Sequence, residues 1–265
     1  MKSAIKNHIV PRILVGIPTE GHTDTAPLHS IMAMQFHHGK LAAEGKFDFY
    51  MATCGRIFTP MAREKFLYEA IQNKMDYLLM VDDDMVCPFD LFDRLYRHQV
   101  DICAALAFAR NPPFDPVIYR ISDGWDPIQK ARYTKTEWVK SYPKDKLIEC
   151  DAVGFGAVLI NVAHAERIPR PWFMSACGTG EDILYCIKAR KAGARVFMDT
   201  SAKIGHLSHP IIIDETTHEQ GSDPALMEKM YGAYERNRVF DVITGPVIPK
   251  DQDGCEVLAG AGWQA

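Results

Sequence analysis

Asp76-Tyr77-Leu78-Leu79-Met80-Val81-Asp82-Asp83-Asp84-Met85-Val86-Cys87-Pro88 is the stretch around which the chain is organised. Five apolar residues, Tyr77 to Val81, end abruptly in three carboxylates. A short apolar run bounded by polar residues reads as a strand buried on both faces, as in a parallel sheet. Ligands of open α/β sheets gather just beyond the carboxyl ends of such strands. Three anions there repel one another unless a cation sits among them: at ~4 Å and an effective dielectric of ~20, each like-charge pair costs roughly 4 kcal/mol. Hard divalent cations such as Mg²⁺ and Mn²⁺ take carboxylate oxygens and bridge to phosphates. One reading is therefore a metal–diphosphate site. The other is that one aspartate caps the helix that starts after Pro88 while its neighbours face water.

Upstream, residues 12–17 form a β-rich run that ends at Gly16-Ile17-Pro18-Thr19, a first strand and loop. Residues 27–43 have helical spacing, with Leu28, Ile31, Met32, Gln35, Phe36 and Leu41 along one side. A second strand is expected over 47–53, then a turn at Cys54-Gly55-Arg56. Thr59-Pro60 opens a helix over 61–73, Thr as cap and Pro in the first turn, with Phe66, Leu67, Ala70 and Ile71 inward. Past the aspartates come a helix over 88–98 and a buried strand over 102–108. The β-α-β-α-β-α-β order is that of a doubly wound parallel sheet.

The rhythm breaks over 109–146, rich in Pro, aromatic and charged residues, where a hairpin and loops are expected. Short strands over 147–151 and 157–161 flank Val153-Gly154-Phe155-Gly156. A strand follows this Gly-x-Gly, so a backbone kink or close approach to a ligand fits better than a dinucleotide loop. After an exposed-looking Trp172-Phe173 pair, Gly178-Thr179-Gly180-Glu181-Asp182 leads into a helix over 183–192. A strand over 194–198, then Gly205-His206 and a helix over 224–238, complete the pattern.

Composition excludes several classes. The 265 residues are 47% hydrophobic and 24% charged, as in an ordinary globular protein, and are expected to form a single domain. A net charge of −4 offers no basic field for nucleic acid or an anionic membrane. No apolar run reaches the ~18 residues of a membrane span, and residues 1–10 lack a signal-peptide core. Seven cysteines (Cys54, Cys87, Cys103, Cys150, Cys177, Cys186, Cys255) without Cys-x-x-Cys spacing read as reduced thiols, hence a cytoplasmic location. His37 and His38 read as solvated surface.

Several stretches in order carry a resemblance: the strand from Ile13 to Pro18, Arg63 in the helix before the aspartates, Asp82-Asp83-Asp84, Gly180-Glu181-Asp182-Ile183-Leu184-Tyr185-Cys186, Lys188-Ala189-Arg190-Lys191-Ala192-Gly193, and Arg195-Val196-Phe197-Met198-Asp199 before Gly205-His206. From about residue 12 to 210 this set resembles the GT-A fold nucleotide-diphospho-sugar transferases, close to the family 2 glycosyltransferases. The resemblance implies a nucleotide-binding half over 12–108, an acceptor and catalytic half over 109–210, and a C-terminal helix and tail over 211–265. It implies a UDP- or GDP-sugar donor, a carbohydrate or other hydroxyl-bearing acceptor, and Mn²⁺ or Mg²⁺ as cofactor.

Residue by residue, the resemblance implies that Asp84 holds the metal with His206, that Asp82 is shared between metal and ribose, and that Asp83 is a further nucleotide-binding candidate, a lesser one because strand alternation aims it away from its neighbours. Imidazole favours Mn²⁺ over Mg²⁺; His209 is a lesser candidate. Asp182 would take the acceptor proton in an inverting reaction, with Glu181 orienting acceptor or sugar. Arg63 would reach the nucleotide, and Pro18 and Thr19 would brush it. Against these roles stand plainer ones: acidic residues suit a helix start, Arg63 could be a surface charge, and Trp172 and Phe173 could clamp the core rather than stack on a sugar. Other classes with this pattern are an inactive nucleotide-binding module and a metal-dependent nucleotidyltransferase, the latter disfavoured by the lack of a Lys-bearing phosphate loop.

Overall fold

The computed structural model describes residues 10–19, 21–126, 131–176, 179–208, 211–220, 223 and 225. Met1–Ser222 form one compact unit and Asp223–Ala265 a second. Of the helix expected over 224–238 residue 225 alone is described, and the tail beyond it and His209 lie outside the described residues.

In chain order the first half runs β1 (Arg12–Thr19), α1 (Thr25–Ala43), β2 (Asp48–Gly55), α2 (Thr59–Gln72), β3 (Tyr77–Val81), β4 (Met85–Val86), α3 (Leu91–Tyr96) and β5 (Ile102–Leu106). The second half begins with β6 (Ile118–Asp126), β7 (Ala131–Trp138), β8 (Leu147–Cys150), β9 (Ala152–Val153), β10 (Ala157–Asn161) and α4 (Val162–Ala165). It continues with α5 (Glu181–Lys191), β11 (Val196–Lys203), β12 (Gly205–Ser208), β13 (Ile211–Ile213) and α6 (Glu215–Gln220). The central sheet has the order β2-β1-β3-β10-β5-β11-β8. β1, β2, β3, β5 and β11 run one way; β10 and β8 run against them. The fold is thus α/β with a mainly parallel sheet, and two small antiparallel sheets, β13-β12-β4 and β7-β6-β9, flank it.

β3 is apolar throughout because both of its faces are covered. Ile13, Val15, Leu79, Val81, Cys103, Ala105 and Leu159 alternate onto the face that packs against Ile31 and Met34 of α1 and Phe92 and Leu95 of α3. The opposite face receives α2: a Cβ added to Gly16 would lie 2.8 Å from the Phe66 ring, so only glycine lets this helix sit so close to β1. Gly193, at φ +91°, ends α5 in the left-handed conformation that glycine tolerates. No helix among the described residues is long and apolar enough to cross a membrane.

Several expectations are corrected. The sheet is not parallel throughout: β10 comes back from the second half and inserts antiparallel between β3 and β5. Periodicity sees β5 and β10 as equivalent apolar runs and carries no sheet order. On α1 the buried residues include Ser30, Ile31, Met34, His38 and Leu41, while Leu28, Met32 and Phe36 are exposed, Phe36 by 76%. His38, expected on the surface, is 1% exposed and stacks on Phe49 with ring centroids 4.1 Å apart. Phe58, not Thr59, occupies the cap position of α2, and Thr59-Pro60 form its first turn. The expected hairpin within 109–146 is β6–β7. Cys87, Cys103, Cys150 and Cys186 are buried free thiols, and Cys54 is a partly exposed one.

Candidate active site

The acidic turn sits at the carboxyl end of β3 and is pinned from both sides. The Asp82 amide donates to the Gly156 carbonyl at 2.9 Å, and the Leu207 amide donates to the Asp84 carbonyl at 2.9 Å. The chain leaves the strand at Asp82 and turns, the Met85 amide reaching back to the Asp82 carbonyl. Strand alternation therefore stops applying, and Asp83 faces the same cavity as Asp82 and Asp84 rather than turning away. That cavity, about 600 Å³, is lined also by Pro18, Thr19, Ile57, Phe58, Thr59 and Arg110. None of the three aspartates caps a helix: α3 begins only at Leu91, after Asp90.

A second cavity of about 370 Å³ shares Phe58, Thr59 and Asp82 with the first. Its wall holds Glu181, Asp182, Arg63, His206, Gly154 and Gly156. The two glycines admit close neighbours, since Cβ atoms there would meet Val117 Cβ at 2.7 Å and Met85 Sδ at 3.0 Å. The expected close approach is therefore to side chains of the fold itself.

Arg63 organises this wall. It is 3% exposed, which excludes a surface charge. Its Nη2 donates to both Asp82 oxygens at 2.8 Å and to the Phe155 carbonyl at 3.2 Å, while Nη1 donates to Glu181 Oε1. Arg63 lines the smaller cavity, and its Nε is buried without a hydrogen-bond partner. Burial pushes the Asp82 carboxyl above the usual range, against the pull of Arg63.

Asp182, at the start of α5, accepts the Ile183 amide at 2.7 Å. Burial raises its pKa, Arg63 opposes, and the neighbouring Glu181 charge adds to the rise. A desolvated carboxylate at a cavity wall has the basicity that proton abstraction needs.

His206 lies on β12 opposite Met85 of β4, which brings it beside the acidic turn. Its Nδ1 donates to the Phe108 carbonyl at 2.9 Å, so Nε2 keeps its lone pair, 3.4 Å from Asp84 Oδ2. Burial lowers its pKa, favouring the neutral ring that ligates metals. Asp84 Oδ1 is buried without a hydrogen-bond partner. An orphaned carboxylate oxygen beside an imidazole lone pair fits a divalent cation held by two protein groups, with phosphate and water completing the shell. Among the described residues no cluster of three or more His, Cys, Asp or Glu is placed to hold a metal ion.

Arg110 escaped the sequence reading. Its Nη2 pairs with Asp84 Oδ2, and its Nε lies 2.7 Å from His206 Nε2. It stands beyond the carboxyl end of β5, the same rule that singled out the aspartates. Trp172 and Phe173 are buried, not exposed: Phe173 stacks on Tyr185 at 4.6 Å, and the amides of Trp172 and Phe173 donate to Glu64 Oε2. The pair clamps the core.

The fold is a mainly parallel α/β sheet with two small antiparallel sheets, and the acidic turn lies at the carboxyl end of β3. Among solved structures the chain is similar to A197 from STIV, with a TM-score of 0.51 and 18% identity over 78% of this chain and 91% of that one, which establishes a shared fold. It is also similar to GalNAc-T7 bound to UDP, GalNAc and Mn²⁺ (TM-score 0.48, 12% identity, 75% of this chain and 43% of that one). A third is a mutant of a Drosophila beta-1,4-galactosyltransferase 7 in complex with manganese, UDP-Gal and xylobiose (TM-score 0.40, 14% identity, 89% and 83%). No protein-family model and no curated protein matches the sequence.

Proposed function

We propose that the protein is a metal-dependent glycosyltransferase that moves a sugar from UDP or GDP to an acceptor hydroxyl with inversion. The observation that carries this is the pair of cavities meeting at Asp82: one lined by Pro18, Thr19 and the acidic turn, the other by Asp182. The larger has room for a nucleotide diphosphate, and the smaller for a sugar facing a desolvated base.

In this mechanism Asp84 and His206 hold the cation, and Asp82, kept in place by Arg63, faces the ribose and diphosphate. A divalent cation held there would supply positive charge to the leaving diphosphate. Asp182 accepts the acceptor hydroxyl's proton as the hydroxyl oxygen attacks the anomeric carbon. Arg63 fixes Glu181 and Asp82 relative to each other and is a positioning residue.

The test is thermal melting with UDP or GDP plus Mn²⁺, followed by hydrolysis assays across UDP- and GDP-sugars. A rise in melting temperature that Asp84→Ala abolishes is the expected result. No rise with either nucleotide overturns the proposal, and binding without donor turnover leaves an inactive nucleotide-binding module.

A further inference from the structure

The two groups assigned to the cation already share a cationic partner from the chain itself. Arg110 Nη2 bonds Asp84 Oδ2, and Arg110 Nε–H donates to the His206 Nε2 lone pair at 2.7 Å. The direction of that second bond follows from His206 Nδ1, which donates to Phe108. A planar guanidinium thus spans the position between an imidazole lone pair and a carboxylate oxygen that a divalent cation would take. Arg110 also lines the larger cavity with about half of its side chain exposed, 53%. A guanidinium carries five N–H donors, more than these two acceptors use, and its fork matches phosphate oxygens.

We propose that Arg110 is the resident counter-cation of this site: it holds Asp84 and His206 in the ligand-free protein, competes with a divalent cation for them, and when displaced presents its fork to the nucleotide's diphosphate. The proposal rests on the nucleotide-diphosphate reading for its last step only. The physical driving force is the same at each stage. While ligand-free, the Asp84 carboxylate needs a positive charge and the neutral His206 lone pair needs a donor, and the diphosphate needs more positive charge than one metal ion supplies.

Two titrations of the full chain test it. Mn²⁺ alone, followed by electron paramagnetic resonance, is expected to bind Arg110→Gln about fivefold tighter than the wild type, the scale of a half-exposed ion pair. The same substitution in an Asp84→Asn background is expected to give a smaller gain, because only His206 is still contested. UDP and GDP titrated calorimetrically at saturating Mn²⁺, where Arg110 is displaced, are expected to bind Arg110→Gln at least about fivefold more weakly.

Unchanged or weaker Mn²⁺ binding by Arg110→Gln overturns the competition. A gain of equal size without Asp84 also overturns it, since that would be a general field effect. Unchanged nucleotide affinity at saturating Mn²⁺ overturns the diphosphate role. The Mn²⁺ arm uses no nucleotide, so failure of the glycosyltransferase reading, seen as no nucleotide binding even with Mn²⁺, is distinguishable from failure here. Arg110 is half exposed, and melting curves of each variant verify folding.

Discussion

Asp182 carries a charge where burial disfavours one, and that gives it two measurable signatures. Its raised pKa places the acid limb of kcat above the ordinary carboxylate range, with activity rising as pH increases through it. Asp182→Asn is expected to lower kcat by about 10²–10⁴ and to erase that limb; a surviving limb would mean another group is the base. The same substitution is expected to raise the melting temperature at neutral pH, because it removes a desolvated anion. The gain should vanish as pH falls through the raised pKa, where the folded state protonates first.

His38 is the opposite case, a base held neutral. Burial, with His37 adding to it, lowers its pKa to about 4, and neither ring nitrogen has a hydrogen-bond partner. Stability is whole above pH ~6.5 and declines toward pH ~4, as the unfolded chain binds the proton that the folded chain refuses. The loss is on the order of 3 kcal/mol. His38→Leu is expected to flatten that part of the curve, measured by urea unfolding at about pH 7.5, 6 and 4.5. A parallel decline in the variant would assign the acid sensitivity elsewhere.

At the scale of elements, Arg63 ties α2 to the end of β3 and to the start of α5 through Asp82 and Glu181. Removing one member of a buried ionic group strands the others, so Arg63→Ala is expected to cost about 3–5 kcal/mol. Arg63→Ala with Asp82→Asn should cost less than the sum of the single changes, and an additive result in chemical denaturation would show that the groups do not act as a unit. Gly16→Ala would push α2 off β1 through Phe66 and is expected to destabilise by about 1–3 kcal/mol. Taken singly, these elements are legible in the sequence. β3, α2 and α5 announce themselves by apolar runs, a Thr-Pro start and an acidic first turn. Legibility fails where apolar surface faces out: Leu28, Met32 and Phe36 satisfy helical spacing, yet the stripe that packs is Ile31, Met34, His38 and Leu41. Two overlapping stripes on one helix cannot be ranked until the sheet beneath is known.

Across the whole molecule, protection should follow the sheet order. β3, β10 and β5 have ladder partners on both sides, whereas β2 pairs only with β1 and is exposed at five of its eight positions. Hydrogen exchange is expected to be slowest at residues 78–80, 102–104 and 158–160 and clearly faster at residues 48–55. Faster exchange in β10 than in β2 would mean that the inserted strand is peripheral rather than central.

Local chemistry alone determined that a buried strand ends in three carboxylates, that an acidic pair opens a later helix, and that a histidine follows a late strand. Each is a property of neighbouring residues, and each candidate faces one of the two adjoining cavities. Tertiary structure alone decided who pairs with whom. β10 enters between β3 and β5, Arg63 turns inward onto Asp82 and Glu181, and Arg110 meets Asp84 and His206. These partners lie 19 to 118 residues apart in the chain. No short-range pattern encodes such pairings, because long side chains find their counter-charges only once the sheet has brought distant strand ends together.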